Sequence, residues 1–291
     1  MRRLVVTLAW LPLAFASVAT LPLLPDAWPA WVRMWALSGA IFFACKWLTW
    51  LGSGPPRASM ARHASYWLLW PGLDAEAFLG AKTATAPPRS EWLEAGTKTL
   101  AGLVSIAVLA PAVAALSATA AGWVAMVGLL LALHFGTLHL LSCAWRAQGI
   151  QARPLQDRPT LSVSVAEFWG RRWNTAFRDM THRFLFEPIT ARWGPKTAFF
   201  AGFVASGLVH DLVISGPARG GYGLPTLFFL IQAAAAFFER SRRGRRLGLG
   251  RGSRGRLFAY LVLLAPLPLL AHGPFMARVM IPFFQAAGAI P

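Results

Sequence analysis

Long apolar stretches dominate the sequence and limit the chain to a fold that has lipid as its solvent. A helix needs about 20 mostly apolar residues to cross a hydrocarbon core of about 30 Å. Eight stretches approach that length: Leu4–Leu24, Trp28–Leu51, Thr99–Ser117, Gly122–Cys143, Lys196–Ser215, Tyr222–Phe238, Leu257–Ala271 and Phe275–Ile290. The pattern predicts an all-α multi-pass transmembrane bundle of about eight spans. Because no long polar linker interrupts it, we expect a single membrane-embedded domain over residues 1–291.

The positive charge is gathered between these stretches. With eight spans, the segments 52–98, 144–195 and 240–256 lie on the same side of the membrane as the N-terminus. Of the 28 Lys and Arg residues, all lie on or at the edge of that side except Arg33, Lys46, Arg219 and Arg278. Such a bias predicts a cytoplasmic N-terminus.

The composition narrows the class of protein further. Only 13% of residues are charged, against about 25% in a soluble domain, so the net charge of +17 indicates membrane topology rather than nucleic-acid binding. The strong preference for Arg over Lys, with abundant Ala and Gly, indicates a bacterial source. We therefore expect the inner membrane of a bacterium rather than the endoplasmic reticulum.

The segment 240–256 contains eight arginines and no acidic residue. The simplest interpretation is membrane topology together with attraction to anionic lipid. A binding site for an anionic donor is the alternative. Cys45 and Cys143 both lie in apolar spans, and two such thiols indicate neither a disulfide framework nor a metal site.

The segment 164–186 has the pattern of an amphipathic helix rather than a span. Ser164 and Glu167 have the spacing of a capping box, which predicts a helix start. Apolar residues then recur on one helical face, at Trp169, Trp173, Ala176, Phe177, Met180 and Phe184. We expect this helix to lie along the cytoplasmic interface, with Asn174 at the edge of the apolar stripe.

The fifth span contains an ionisable pair, His210 and Asp211. Ionisable groups inside an apolar helix are costly to insert and usually functional. His210 lies about 21 Å along the span from Lys196, beyond the middle of the bilayer. A neutral imidazole there suits general-base chemistry on an alcohol. His134 and His139 in the fourth span are about 140° apart around the helix, so they do not form the one-face pair of a metal site.

The segment Phe168-Trp169-Gly170-Arg171-Arg172-Trp173-Asn174, followed 36 residues later by His210, resembles the membrane-bound O-acyltransferase superfamily. Within it, the chain is similar to the wax synthase-like branch. The run Ser206-Gly207-Leu208-x-His210-acid resembles the histidine helix of that family, and Trp70-Pro71-Gly72 and Pro188 also fit. The similarity is strongest over residues 150–215. Two departures are Asp211, where the branch is expected to carry Glu, and the small number of spans.

The resemblance implies acyl transfer from acyl-CoA, as co-substrate, to the hydroxyl of a lipophilic acceptor such as a long-chain alcohol. His210 matches the catalytic histidine, and Asn174 matches a second polar active-site residue. It also implies substrate-binding positions at Trp169, Arg171, Arg172, Trp173 and Asp211. No metal, further cofactor, nucleic acid or obligate protein partner is expected, but membrane lipids are.

Two alternatives remain open from the sequence. The acceptor is either a long-chain alcohol or another lipid-like hydroxyl, on a diacylglycerol, a sterol or a polyketide. A proton-coupled transporter that uses His210 and Asp211 as a relay is a different class. The absence of internal repeats in the sequence and the FWGRRWN segment favour the enzyme.

Overall fold

A computed structural model describes residue 16 and residues 19–54 and 58–291. None of these residues belongs to a strand, apart from one isolated antiparallel bridge between Thr83 and Ile150. The all-helical class is therefore confirmed for the described part of the chain. The first predicted span, Leu4–Leu24, lies mostly outside it.

Five helices of the described chain are long and apolar enough to cross a membrane. They correspond to the second, third, fourth, fifth and seventh predicted spans. In chain order they are α1 Ala30–Gly52, α4 Arg89–Ala114, α5 Ala118–Ala147, α7 Thr175–Ala218 and α10 Gly252–Leu270. Shorter helices complete the fold: α2 Met60–Leu68, α3 Ala75–Leu79, α6 Val165–Glu167 with its π-helical continuation Phe168–Arg172, α8 Leu224–Arg240, α9 Arg242–Arg246 and α11 Ile281–Ala286.

Two predicted spans do not reach full length. The sixth corresponds to α8, which has 17 residues. The eighth is composed of the short pieces Gly273–Phe275, Met276–Met280 and α11. The last piece ends at Ala286, and Gly288 follows with a φ of 69°. A positive φ suits glycine and stops a right-handed helix, so hydropathy overestimates the length of this segment.

The helices group into two compact units. The first comprises the described residues within 1–155 together with 276–291, and the second comprises residues 156–275. In the first unit, α4 and α5 approach closely through glycine. A Cβ atom on Gly102 would lie 2.3 Å from the Ala132 amide nitrogen, and one on Gly136 would lie 2.3 Å from the Thr99 hydroxyl. Small residues at such positions let two helices in a membrane pack backbone to backbone.

Also in the first unit, a buried lysine fixes α1 to the segment that follows it. The Lys46 ammonium donates hydrogen bonds to the carbonyl oxygens of Tyr66, at 2.6 Å, and Gly72, at 3.0 Å. It also lies 3.6 Å from the centre of the Tyr66 ring. The Trp70-Pro71-Gly72 segment is therefore held by a cation from α1.

The second unit contains a sharp bend within α7. Gly194 has φ 80° and ψ 165°, and Pro195 follows it. The bend separates an arm that ends at Trp193 from an arm that carries His210. Every residue singled out for the candidate active site lies in this unit.

Candidate active site

The FWGRRWN segment begins at a well-capped helix terminus. The Ser164 hydroxyl accepts a hydrogen bond from the Glu167 amide at 2.9 Å, and the Glu167 carboxylate accepts one from the Val163 amide, also at 2.9 Å. The carboxylate of Glu239 in α8 binds the next two amides, of Val165 and Ala166, at 2.9 Å each. The helix start predicted from Ser164 and Glu167 is confirmed.

The helix predicted without interruption over 164–186 is broken at Trp173 and Asn174. Trp173 is extended, with a ψ of 131°, and Asn174 is left-handed, with φ 43° and ψ 62°. The Asn174 side chain then caps α7 by accepting a hydrogen bond from the Phe177 backbone amide at 3.4 Å. The backbone amide of Asn174 donates to the side-chain oxygen of Gln156. Asn tolerates this backbone conformation and is a good N-cap. The prediction was wrong here because the apolar spacing continues across the break.

Trp169 joins three helices of the second unit. Its indole nitrogen donates a hydrogen bond to the Gln232 side chain at 3.3 Å. Its ring packs against Phe203 of α7 and against Phe228 and Phe229 of α8, with the Phe229 centroid 5.4 Å away. The motif is thus attached to the helix that carries His210.

His210 shares Phe229 with Trp169. Its imidazole centroid lies 4.6 Å from that of Phe229, and Nδ1 lies 2.7 Å from the Ser206 carbonyl oxygen. A carbonyl oxygen only accepts, so Nδ1 must carry the proton of a neutral imidazole. The lone pair then remains on Nε2, as a general base requires.

Asp211 fixes α8 next to His210. Its carboxylate accepts hydrogen bonds from the Gly223 amide, at 2.9 Å, and from the Thr226 hydroxyl, at 2.7 Å. Gly207 brings the two helices together, since a Cβ atom there would lie 2.9 Å from the Thr226 Cα.

Arg171 and Arg172 differ in their surroundings. Arg172 pairs with Glu167 at 2.7 Å and donates to the carbonyl oxygen of Asp157 at 3.2 Å. Burial of Glu167 opposes its ionisation, but the hydrogen bonds from Val163 and Arg172 hold the pKa of this carboxyl below its usual value. The Arg171 side chain is exposed. Arg172 thus stabilises the motif locally, whereas Arg171 faces outward.

The other histidine of the second unit's core has the opposite tautomer. His272 is only 2% exposed. Its Nδ1 accepts from the Phe275 amide at 3.1 Å, so Nε2 carries the proton and donates it to the Ser215 hydroxyl, also 3.1 Å away. This arrangement leaves no lone pair for proton abstraction.

In the first unit, Glu91, His139 and Cys143 place their ligand atoms within 4.8 Å of one another. Sequence reasoning missed this cluster because Glu91 and His139 are 48 residues apart. Arg146 already occupies it, bound to the Glu91 carboxylate and 3.4 Å from the Cys143 sulfur. A guanidinium at that place supplies the positive charge that a metal ion would bring, so an ion-pair network explains the cluster.

Part of the chain also matches a known family. Residues 152–231 fit the model of the membrane bound O-acyl transferase family. The resemblance predicted from FWGRRWN and His210 is thereby confirmed over this segment, which contains every residue proposed for the site.

Individual relatives narrow the similarity to one branch. The chain is 31% identical over 72 residues to a long-chain-alcohol O-fatty-acyltransferase of Simmondsia chinensis, covering 22% of this chain and 20% of the relative. It is 29% identical over 75 residues to "Probable long-chain-alcohol O-fatty-acyltransferase 9" of Arabidopsis thaliana, covering 23% and 22%. It is also 32% identical over 71 residues to acyl-CoA–sterol O-acyltransferase 1 of Arabidopsis thaliana, covering 22% and 21%. The aligned segments thus span about a fifth of the curated relatives' length.

Proposed function

We propose that this protein is a membrane-embedded O-acyltransferase. It transfers a fatty acyl group from acyl-CoA to the hydroxyl of a lipophilic acceptor, most simply a long-chain alcohol, to form a wax ester. The observation that carries the proposal is His210: its Nδ1 is bound to Ser206, its Nε2 lone pair is left for a substrate, and its ring contacts Phe229, which also contacts Trp169. The family match over residues 152–231 supports the same chemistry.

In the proposed reaction, His210 Nε2 accepts the proton of the acceptor hydroxyl as the oxygen attacks the thioester carbonyl. The new C–O bond forms and the C–S bond breaks. The proton then passes from His210 to the departing CoA thiolate, so the histidine ends as it began. A positioned base of this kind contributes about 10²–10⁴-fold. The reaction uses no metal and no cofactor beyond the co-substrate.

The remaining residues are proposed in supporting roles. Asn174 donates a hydrogen bond to the negative charge that develops at the carbonyl oxygen or orients the base. Trp169 and Trp173 line the substrate path, and Arg171 faces the polar part of the donor. Arg172 and Asp211, whose charges are engaged by protein groups, act on substrate binding by holding this machinery in place.

The membrane arrangement is part of the proposal. The protein has about eight spans in a bacterial inner membrane, with a cytoplasmic N-terminus and an interfacial 164–186 region. The acyl donor then enters from the cytoplasmic side. The charge bias of the sequence supports this orientation. Five apolar helices of sufficient length support the multi-pass character.

The acceptor has a second candidate. One relative is named as a sterol acyltransferase at 32% identity, as high as the identity to the alcohol acyltransferases. Membranes from an expressing host should be supplied with radiolabelled palmitoyl-CoA and, in parallel, hexadecanol, a sterol and a diacylglycerol. We expect labelled ester from hexadecanol above a vector-only control. Ester from the sterol alone would reassign the acceptor, and no ester from any of the three would contradict the proposal.

A further inference from the structure

The arginine segment 240–256 forms an exposed cationic surface in the second unit. It comprises the end of α8, the short helix α9, a turn and the start of α10. All eight guanidinium groups are exposed, at Arg240, Arg242, Arg243, Arg245, Arg246, Arg251, Arg254 and Arg256. Among the described residues, no acidic side chain forms a salt bridge with any of them.

This surface is anchored to the segment that precedes FWGRRWN. On one side of it, Glu239 binds the amides of Val165 and Ala166. On the other side, the Tyr260 hydroxyl donates to the Thr160 carbonyl oxygen at 2.7 Å. Between them, Gly255 meets Val163 backbone to backbone, because a Cβ atom there would lie 2.4 Å from the Val163 carbonyl oxygen.

The anchoring distinguishes a binding site for a defined anion from the two simpler explanations of the charge, membrane topology and attraction to anionic lipid. A signal for membrane topology needs only a number of cations near a span, and attraction to anionic lipid needs no fixed backbone. Neither explanation accounts for an arginine-rich segment that is fixed, at Gly255 and at its two flanks, by three contacts to residues 160–166. A binding site for a defined anion does require such fixed placement.

The type of cation indicates the type of anion. Every charge of the segment is Arg, whose planar fork binds phosphate with two parallel hydrogen bonds, whereas Lys acts as a point charge. Unpaired like charges on one short segment repel one another, and a multiply charged anion relieves this repulsion. Coenzyme A carries such a cluster, a diphosphate and a 3′-phosphate on one ribose.

We infer that the arginine segment 240–256 binds the phosphate groups of the acyl donor's coenzyme A moiety, next to the segment that carries FWGRRWN. This inference rests on the proposed function for the identity of the donor. Coenzyme A and a phospholipid headgroup both carry phosphate, which arginine recognises. A phospholipid headgroup is therefore the competing ligand for this surface.

The binding test uses the full chain in nanodiscs of neutral phosphatidylcholine, with CoA itself as the probe. Replacing Arg242, Arg243, Arg245 and Arg246 together by Gln should weaken CoA binding on the order of tenfold or more, because charge-assisted hydrogen bonds are lost. The matched replacement by Lys should retain part of the affinity. The double variant Arg183→Gln/Arg192→Gln, which removes two exposed arginines of the same unit, should bind CoA like the wild type.

A second arm compares donors in the acyl-transfer assay. The Gln variant should show a raised KM for palmitoyl-CoA but an unchanged KM for S-palmitoyl-pantetheine, which has no phosphate. Unchanged CoA binding in the Gln variant would overturn the inference, and a loss confined to binding of phosphatidylglycerol vesicles would assign the surface to lipid instead. Because the binding arm needs no turnover, arginine-dependent CoA binding without any acyl transfer would contradict the proposed function and leave this site standing.

Discussion

The two histidines in the core of the second unit use their ring nitrogens in opposite ways. His210 donates from Nδ1 to the Ser206 carbonyl, whereas His272 accepts at Nδ1 from the Phe275 amide. Backbone groups thereby set each tautomer. His210 is the proposed base because its Nε2 keeps the lone pair.

His210→Ala should therefore abolish acyl transfer, with a loss on the order of 10²–10⁴-fold, while the protein still accumulates in membranes. His182→Ala, which removes an exposed histidine of the same unit, is the matched control and should retain full turnover. Ester formation per mole of purified protein is the measurement. Near-wild-type turnover of His210→Ala, with a loss in His134→Ala or His139→Ala, would move the base elsewhere.

Asn174 offers a way to separate backbone from side chain. Ala at its left-handed φ should cost about 1–2 kcal/mol of stability and lose the N-cap, whereas Gly accepts the conformation. We expect the melting temperature of Asn174→Gly to lie close to that of the wild type, but its activity to fall as severely as that of Asn174→Ala. If Asn174→Gly keeps full activity, the side-chain amide of Asn174 has no part in the reaction.

At the scale of helices, α8 is positioned by the residue next to the base. Asp211 holds the N-terminal end of α8, and this helix supplies Phe229 to the His210 ring. Asp211→Asn keeps the shape but loses the charge on the two hydrogen-bonded oxygens. We expect a moderate fall in kcat and in melting temperature, milder than the loss in His210→Ala. A loss equal to that of His210→Ala would instead make Asp211 a catalytic residue.

The segment after α1 depends on a single buried cation. Lys46→Met fills a similar volume but leaves the Tyr66 and Gly72 carbonyl oxygens without their donor. Buried unsatisfied groups cost about 1–3 kcal/mol each, so the melting temperature should fall by several degrees. Lys98→Met, which removes an i,i+4 pair with Glu94, should change it little. Equal melting of the two variants would refute a structural role of Lys46.

Patterning predicted these elements unevenly, for physical reasons. Hydropathy located the five long helices because lipid requires long apolar stretches, and the capping residues located the start of α6. The hydrophobic pattern did not predict the break at Asn174 or the bend at Gly194, because the backbone dihedrals of a single residue barely alter a hydrophobic period. The partners of Glu239, Lys46 and Arg146 also escaped prediction, since they are set by tertiary contacts between residues far apart in sequence.

For the molecule in its membrane, the proposed orientation rests on the distribution of Lys and Arg along the sequence. Single cysteines introduced near Arg246 into a background with Cys45 and Cys143 replaced should react with an impermeant maleimide only when the cytoplasmic side is exposed. Loops rich in Lys and Arg are retained on the cytoplasmic side during insertion. Labelling from the far side alone would invert the proposed topology.

The central claim is that this bundle performs acyl transfer itself. The most direct test supplies purified protein, reconstituted in nanodiscs, with radiolabelled palmitoyl-CoA and hexadecanol, and measures ester and free CoA thiol together. We predict one mole of labelled ester for each mole of thiol released, and neither product from His210→Ala. Thiol without ester, or no thiol from the wild-type protein, would contradict the account.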